Sequence, residues 1–397
     1  MAIEHWVWYQ LALGAGCRRT GEMISYFGNA ENLYQSGDYE RRLSGVFTSS
    51  QLNKLSGTSL ESAYEVIEQC RRNSWGITCP DDKYYPKMLK TLDDLPAVLY
   101  YQGDLRFLIH KIAVAVVGTR EADKKSLSVA QCLSESLTRS GAVVISGGAL
   151  GVDSAAHTGA MNAGGKTLAV LGCGFGVDYL ESNRALREQI AKNGALVTEY
   201  PPLTPALARN FPIRNRIISG LCHGTVVIEA GIKSGSLITA GLALEQGRDV
   251  FAVPGDVMSE KFTGVHKLIS EGAKPVFSAM DVLEGYALKY PKAIDINKIE
   301  TRLGSTEVPD TVNTKPKPKP EKAEPSQRLT GLEAAQRLSG LSDAAKQVLG
   351  VFGGESVHID DIMRKTGLDY PSVFRAVTEL ELAELISSAP GKQYNLK

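Results

Sequence analysis

The feature that most constrains the fold is a set of six short apolar runs through the middle of the chain. They are Ile112–Val117, Val143–Ser146, Thr167–Leu171, Leu196–Glu199, Thr225–Ile228 and Val250–Val253. The runs are rich in β-branched residues and almost continuously apolar, as a strand buried on both faces must be. Helical patterns fall between them, for example at Ser126–Ser140 and Asp153–Ala163. This alternation predicts a doubly wound, mostly parallel α/β sheet over about 108–286. Right-handed crossovers then bring most strand C-termini to one edge, where folds of this kind bind ligands.

A chain of 397 residues has room for two or three domains. Residues 1–80 predict a small helical domain, independent of the sheet domain. Its Leu13-Gly14-Ala15-Gly16 turn reads first as an ordinary helix connection, and second as a helix-hairpin-helix turn offering N–H groups to a DNA phosphate. Residues 75–107, broken by prolines, predict extended chain docked on the sheet domain, which with this connector spans 81–288. Residues 289–340 contain Lys315-Pro316-Lys317-Pro318-Lys319-Pro320 and predict a solvated linker. Residues 341–397 predict three helices and a hairpin, a winged helix. Its third helix carries Arg375 but also Glu379, Glu381 and Glu384, which oppose phosphate contact, so a duplex-binding and a protein-contact role both stay open.

Net charge is zero, with 44 basic and 44 acidic residues. Any nucleic-acid contact must therefore rest on a local basic patch, not on an overall cationic field. The six cysteines form no Cys-x-x-Cys pair and the six histidines no metal-ligand spacing, so neither a metal nor a cofactor is expected. The scattered thiols fit a reducing, cytoplasmic setting. The start of the chain lacks the features of a signal peptide, and no apolar run reaches membrane-spanning length.

Three constellations can carry chemistry. Gly118-Thr119-Arg120 ends the first run, where Gly118 permits close backbone approach and Arg120 offers a bidentate fork to phosphate. Ser146-Gly147-Gly148-Ala149-Leu150-Gly151-Val152-Asp153 opens a helix with a glycine-rich loop whose N–H groups can cradle an anion. It is neither a Walker A loop nor a dinucleotide fingerprint. Asp153 and His157 share a helix face, and the capping and packing reading precedes an acid–base one. The third stretch, read as a loop, runs Arg209-Asn210-Phe211-Pro212-Ile213-Arg214-Asn215-Arg216. Phe211 is either a base-stacking platform or a core aromatic, and Arg214 and Asn215 can reach phosphate and base edges. Arg216 is expected to pair with Glu229, which ends a buried strand and needs a partner. Ser234-Gly235-Ser236 forms a second anion-holding turn. No catalytic set assembles, which shifts weight toward binding.

These stretches occur together and in order, from Gly118-Thr119-Arg120 through Phe211–Leu221, Glu229-Ala230 and Ser234–Ala240 to Val253-Pro254-Gly255. The chain thereby resembles the DNA processing protein A (DprA/Smf) family across about 110–286. Thr119 departs from the serine more usual at that loop. The resemblance implies an extended Rossmann-like fold, single-stranded DNA binding without enzymatic activity, and a homodimer through that domain. It also implies loading of RecA onto incoming DNA during natural transformation, with help in passing single-strand-binding protein. Carried over by position, Gly118, Thr119, Arg120, Gly147, Gly148, Phe211, Arg214 and Asn215 are the implied DNA contacts. Ser234, Gly235 and Ser236 join them as a phosphate seat, and Asp153, Arg216 and Glu229 are expected to support the pocket. The alternatives are a phosphoribohydrolase-like enzyme, whose Pro-Gly-Gly-x-Gly-Thr-x-x-Glu motif is missing at Glu229–Gly235, and a nucleotide-sensing adaptor.

Overall fold

The computed structural model describes residues 3–299, 341–352, 357–383, 385–389 and 393–396. The chain divides into two compact units, Met1–Val308 and Pro309–Lys397. The first unit is built on a nine-stranded sheet. Its strands are β1 (Gly76–Thr78), β2 (Leu99–Gly103), β3 (Ala113–Val117), β4 (Val143–Ser146), β5 (Thr167–Leu171), β6 (Ala195–Thr198), β7 (Gly224–Val227), β8 (Asp249–Ala252) and β9 (Lys274–Pro275). The sheet order is β1-β2-β6-β5-β4-β3-β7-β8-β9. The segment from β6 to β9 is parallel, and β2 joins it antiparallel to β6.

The six runs read from the sequence are β3 to β8, displaced by no more than one residue at either end. Their residues are buried on both faces, in one cluster with Ala113, Ile145 and Val197 and another with Val114, Val144 and Val226. Helices cover both faces for local reasons. Asp123 caps the Lys124–Arg139 helix by accepting from the Ser126 N–H at 2.7 Å, and Ala130, Leu133 and Leu137 then fall on its buried face. From β3 the chain winds outward through β4, β5 and β6, then returns to place β7 on the other side of β3. The C-terminal ends of β3 and β7 therefore flank the topological switch point, where doubly wound sheets open a crevice.

Three expectations are corrected here. The connector is not merely docked chain, because β1 and β2 extend the sheet by backbone pairing. The linker expected from 289 begins later: Asp295 N–H donates to Ser140 O, and Ile294 and Ile299 are buried against the sheet domain. The helical front is not independent. Trp6 Nε1 donates to Asp81 at 2.8 Å, and Tyr100 of β2 donates to Gln10 Oε1 at 2.8 Å. Trp6, Tyr9, Val98 and Tyr100 belong to one core. The Gly14–Gly16 turn docks as well, with the Gly16 N–H 3.2 Å from both Glu199 carboxylate oxygens at the end of β6. Its N–H faces that carboxylate inside the unit.

The second unit holds the Asp343–Leu349, Ile359–Thr366 and Tyr370–Leu382 helices. Val357–His358 adds a third strand to the expected pair, Ile386–Ala389 and Gln393–Leu396. Glu379, one of the acidic residues that oppose phosphate contact, has a structural task. Its two carboxylate oxygens accept from Ser342 N (2.8 Å) and Ser342 Oγ (2.6 Å), tying the third helix to the start of the first. The proline–lysine alternation at 315–320, Glu384 and the turn residues 390–392 lie outside the described residues.

Candidate nucleic-acid interface

A cleft of about 360 Å³ opens at the switch point. It is bounded by the loop after β3, the serine–glycine turn after β7, and the Asn210–Gly220 helix. This third stretch is a helix and not the loop expected from sequence, and the difference decides where each side chain points. Pro212 is tolerated because it sits in the first turn, where its missing N–H has no intrahelical acceptor. Helical spacing puts Phe211, Arg214, Asn215 and Ile218 on one face, and all four line the cleft. Arg216 is two residues from Arg214, about 200° around the helix, and faces away.

Arg216 therefore does not pair with Glu229. Its Nη2 donates to both oxygens of Glu199 at 2.7 and 2.8 Å, and its Nε lies 3.3 Å from Asp94. Glu229 instead supports the Arg120 loop. Its backbone carbonyl accepts from Thr119 N at 2.8 Å, its Oε2 accepts from Asp123 N at 3.3 Å, and Lys261 Nζ approaches its Oε1 to 4.0 Å.

The two arginines of the cleft have opposite environments. Arg120 is exposed, makes no ion pair among the described residues, and lies over the Phe211 ring at 5.3 Å. Arg214 is buried beneath the same ring, 5.8 Å from its centroid. Its Nη1 donates to Gly147 O at 2.7 Å and to Val170 O. Burial draws the Arg214 guanidinium below its ordinary range. Burial also pushes the Asp153 carboxyl up, against the pull of Arg214 and of the loop N–H groups.

The glycine-rich loop after β4 is closed around this pair. Ala149 N–H donates to Asp153 Oδ2 at 3.3 Å, so the anion held by the loop is the chain's own carboxylate. Gly147 and Gly148 do not line the cleft. A side chain on Gly147 would meet Arg214 Nη1 at 2.6 Å and Asp153 Oδ2 at 2.7 Å. Gly118 does line the cleft, yet its missing side chain makes room for Val152, whose Cγ2 would lie 2.6 Å from a Cβ. Gly151, with φ +75°, brings this loop against the first one, and Val152 N–H donates to Thr119 O at 3.2 Å. His157 points elsewhere: its Nδ1 meets Thr167 Oγ1 at 2.8 Å, with no acid–base geometry toward Asp153.

On the opposite wall, Ser234 Oγ accepts from Ser236 N at 3.4 Å and caps the Gly235–Glu245 helix, whose positive end faces the cleft. Asn215 Nδ2 reaches Gly235 O at 3.4 Å and ties that turn to the Phe211 helix. Sequence reasoning missed Tyr179, whose ring lies 5.3 Å from Phe211 at 38°. Its position just beyond β5, on the ligand-binding edge, was the available signal. Among the described residues no cluster of His, Cys, Asp or Glu could hold a metal, and no helix is long and apolar enough to cross a membrane.

Fold and cleft together define a Rossmann-type α/β protein with a cationic, aromatic-walled cleft at its switch point, carrying a winged-helix unit. Comparison with known proteins narrows this. The sequence model of the DNA recombination-mediator protein A family matches residues 76–287, and that of the DprA winged helix domain matches 332–392. The chain belongs to the DNA recombination-mediator protein A family. DNA processing protein DprA of Streptococcus pneumoniae is 44% identical over 202 residues, 51% of this chain and 71% of that protein. Protein Smf of Synechocystis is 30% identical over 98% of both chains. The X-ray structure of DprA from Streptococcus pneumoniae superposes with a TM-score of 0.62 at 34% identity, covering 70% of this chain and 97% of that one.

Proposed function

We propose that this protein binds single-stranded DNA in the switch-point cleft and, as a homodimer, passes it to RecA during DNA uptake. The observation that carries the reading is the exposed, unpaired Arg120 stacked on Phe211. An unpaired base can stack on this platform while its phosphate meets Arg120 and the Ser234–Ser236 turn, whereas a duplex hides its base faces. Thr119, Asn215 and Gly118 complete the contact wall. Arg214 and Asp153 also line the cleft, and with Gly147 and Gly148 beneath them they fix the height of the Phe211 ring. Family membership supports the recombination role, and the DprA names of the relatives support a part in DNA processing.

The test is a titration of labelled oligo-dT against wild type, Arg120→Ala and Phe211→Ala. Loss of the stacking platform removes roughly 1–3 kcal/mol per base, a fivefold to 150-fold weakening. Affinity unchanged by either substitution in folded protein sinks the assignment. Binding is proposed without turnover, so incubation with AMP releases no adenine, and robust release would favour a phosphoribohydrolase. RecA filament assembly on oligo-dT coated with single-strand-binding protein tests the loading step separately.

A further inference from the structure

A second cavity lies at the opposite edge of the sheet, beside the N-terminal ends of β3 and β7. It encloses about 300 Å³ and is formed by residues 83–88, Leu105, residues 108–111 and Ala113, together with Leu221 and His223. That volume is at the lower end of what a binding pocket occupies. The floor is mainly aliphatic, with Leu105 and Leu221 buried beside Tyr85 and Leu108 and Met88 partly so. The rim carries Lys83, Lys87, His110 and Lys111, all exposed, and no carboxylate lines the cavity.

Nearby carboxylates are committed elsewhere. Asp81 accepts from Trp6, Asp82 accepts from Thr78 Oγ1 at 3.1 Å and Tyr84 N at 2.9 Å, and Asp104 pairs with Arg106 at 2.9 Å. Lys83, Lys87 and Lys111 form no ion pair among the described residues. In a chain of zero net charge, three uncompensated lysines around an apolar pocket are a local concentration of positive potential.

We infer that this pocket docks an acidic peptide segment bearing aliphatic side chains, presented by a partner protein. Two features favour a peptide over a nucleic acid. The floor offers mainly aliphatic side chains for contact: of the two tyrosines in the lining, Tyr85 is buried and Tyr84 has one ring face covered by the Lys83 ammonium at 4.7 Å, which leaves little aromatic surface for a base. The rim is lysine without arginine, giving point charges that suit scattered carboxylates and not the bidentate forks that grip phosphate. Because the pocket and the cleft sit at opposite edges of the sheet, a protein partner can be held while DNA occupies the cleft.

The probe is a fluorescein-labelled peptide, Asp-Glu-Leu-Asp-Glu-Leu, titrated with the full chain and followed by anisotropy. Binding is expected, with no displacement by oligo-dT. Replacing both leucines by serine should weaken it about tenfold or more, since each buried leucine contributes well over that factor's free energy. The double variant Lys83→Glu/Lys111→Glu should weaken it about tenfold while leaving oligo-dT affinity unchanged. No binding, equal binding of the serine peptide, or indifference to charge reversal overturns the proposal. Displacement by oligo-dT, with loss of oligo-dT affinity in the double variant, also overturns it and assigns the pocket to nucleic acid.

Discussion

Two arginines line one cleft, and they should fail in opposite ways. Arg120 is exposed and supports nothing in the fold beyond the Phe211 ring. Arg120→Ala should leave the urea midpoint where it is. A charge-assisted contact to phosphate is worth about 1.5–3 kcal/mol, so oligo-dT binding should weaken roughly 10- to 150-fold. Salt dependence gives a sharper reading. One phosphate contact on a single strand contributes about 0.7 to the slope of log affinity against log salt. Moving from about 50 to about 200 mM salt should then cost wild type about 2.6-fold more affinity than the variant. Arg214→Ala removes the donor to Gly147 O and Val170 O and leaves Asp153 buried without its cation. Breaking such an arrangement costs about 3–5 kcal/mol, a large part of a domain's total stability. The assays are anisotropy at several salt concentrations and urea unfolding followed by circular dichroism. The division of roles is refuted if Arg214→Ala folds within about 0.5 kcal/mol of wild type and lowers the salt slope as Arg120→Ala does.

Other substitutions probe the frame of the site. Thr167 Oγ1 donates to Val144 O, so it accepts from His157 Nδ1–H and fixes a neutral imidazole, whose pKa burial lowers from 6.5 to about 3. A depressed folded pKa means stability is full above the unfolded value and is lost as pH falls. The native state refuses a proton that the unfolded chain takes, so wild type should lose about 2 kcal/mol between about pH 7 and pH 5. Chemical unfolding of His157→Gln should lack that increment; an equal loss in the variant excludes His157 as its source. Gly151→Ala should cost about 1–3 kcal/mol, because Gly151 has φ +75° and an added Cβ would lie 2.5 Å from Thr119 O. Oligo-dT affinity should fall with it as the Arg120 loop shifts. Glu199→Gln should loosen the front helices, read as faster tryptic cleavage after exposed Arg18. Unchanged cleavage would mean that the Trp6 and Gln10 hydrogen bonds and the core shared by Trp6, Tyr9, Val98 and Tyr100 hold that interface without the carboxylate.

Much of the fold is legible in the sequence because burial on both faces leaves a strong signal. A strand such as Val143–Ser146 has few other ways to be apolar and short, and its place in the alternation fixes its neighbours. Strands β1 and β2 are less legible: β1 is a three-residue edge strand, β2 is buried only over its first half, and the prolines around them mask the pattern. The position of the cleft follows from the winding of the sheet, so the loops after β3 and β7 could be nominated without coordinates.

Side-chain partnerships could not be read in the same way, since they depend on which element comes near in space. Gly147 and Gly148 carry the sequence signature of an anion cradle, and the loop does hold an anion, but it is the Asp153 carboxylate, bound by the N–H of Ala149 four residues before it. Arg214 and Arg216 differ by two positions, and only the helical phase separates a cleft wall from a brace on Glu199. That phase also explains why the brace matters to the cleft. The helix presenting Phe211 is held on its far face by Glu199 through Arg216, and Glu199 also faces the Gly16 N–H of the front domain. The front domain thus reaches the back of the helix that carries the proposed base platform. Glu199→Gln should therefore weaken oligo-dT binding without touching the cleft. Intact oligo-dT affinity in a variant whose front helices are demonstrably loosened would separate the two and leave the helix anchored by the sheet alone.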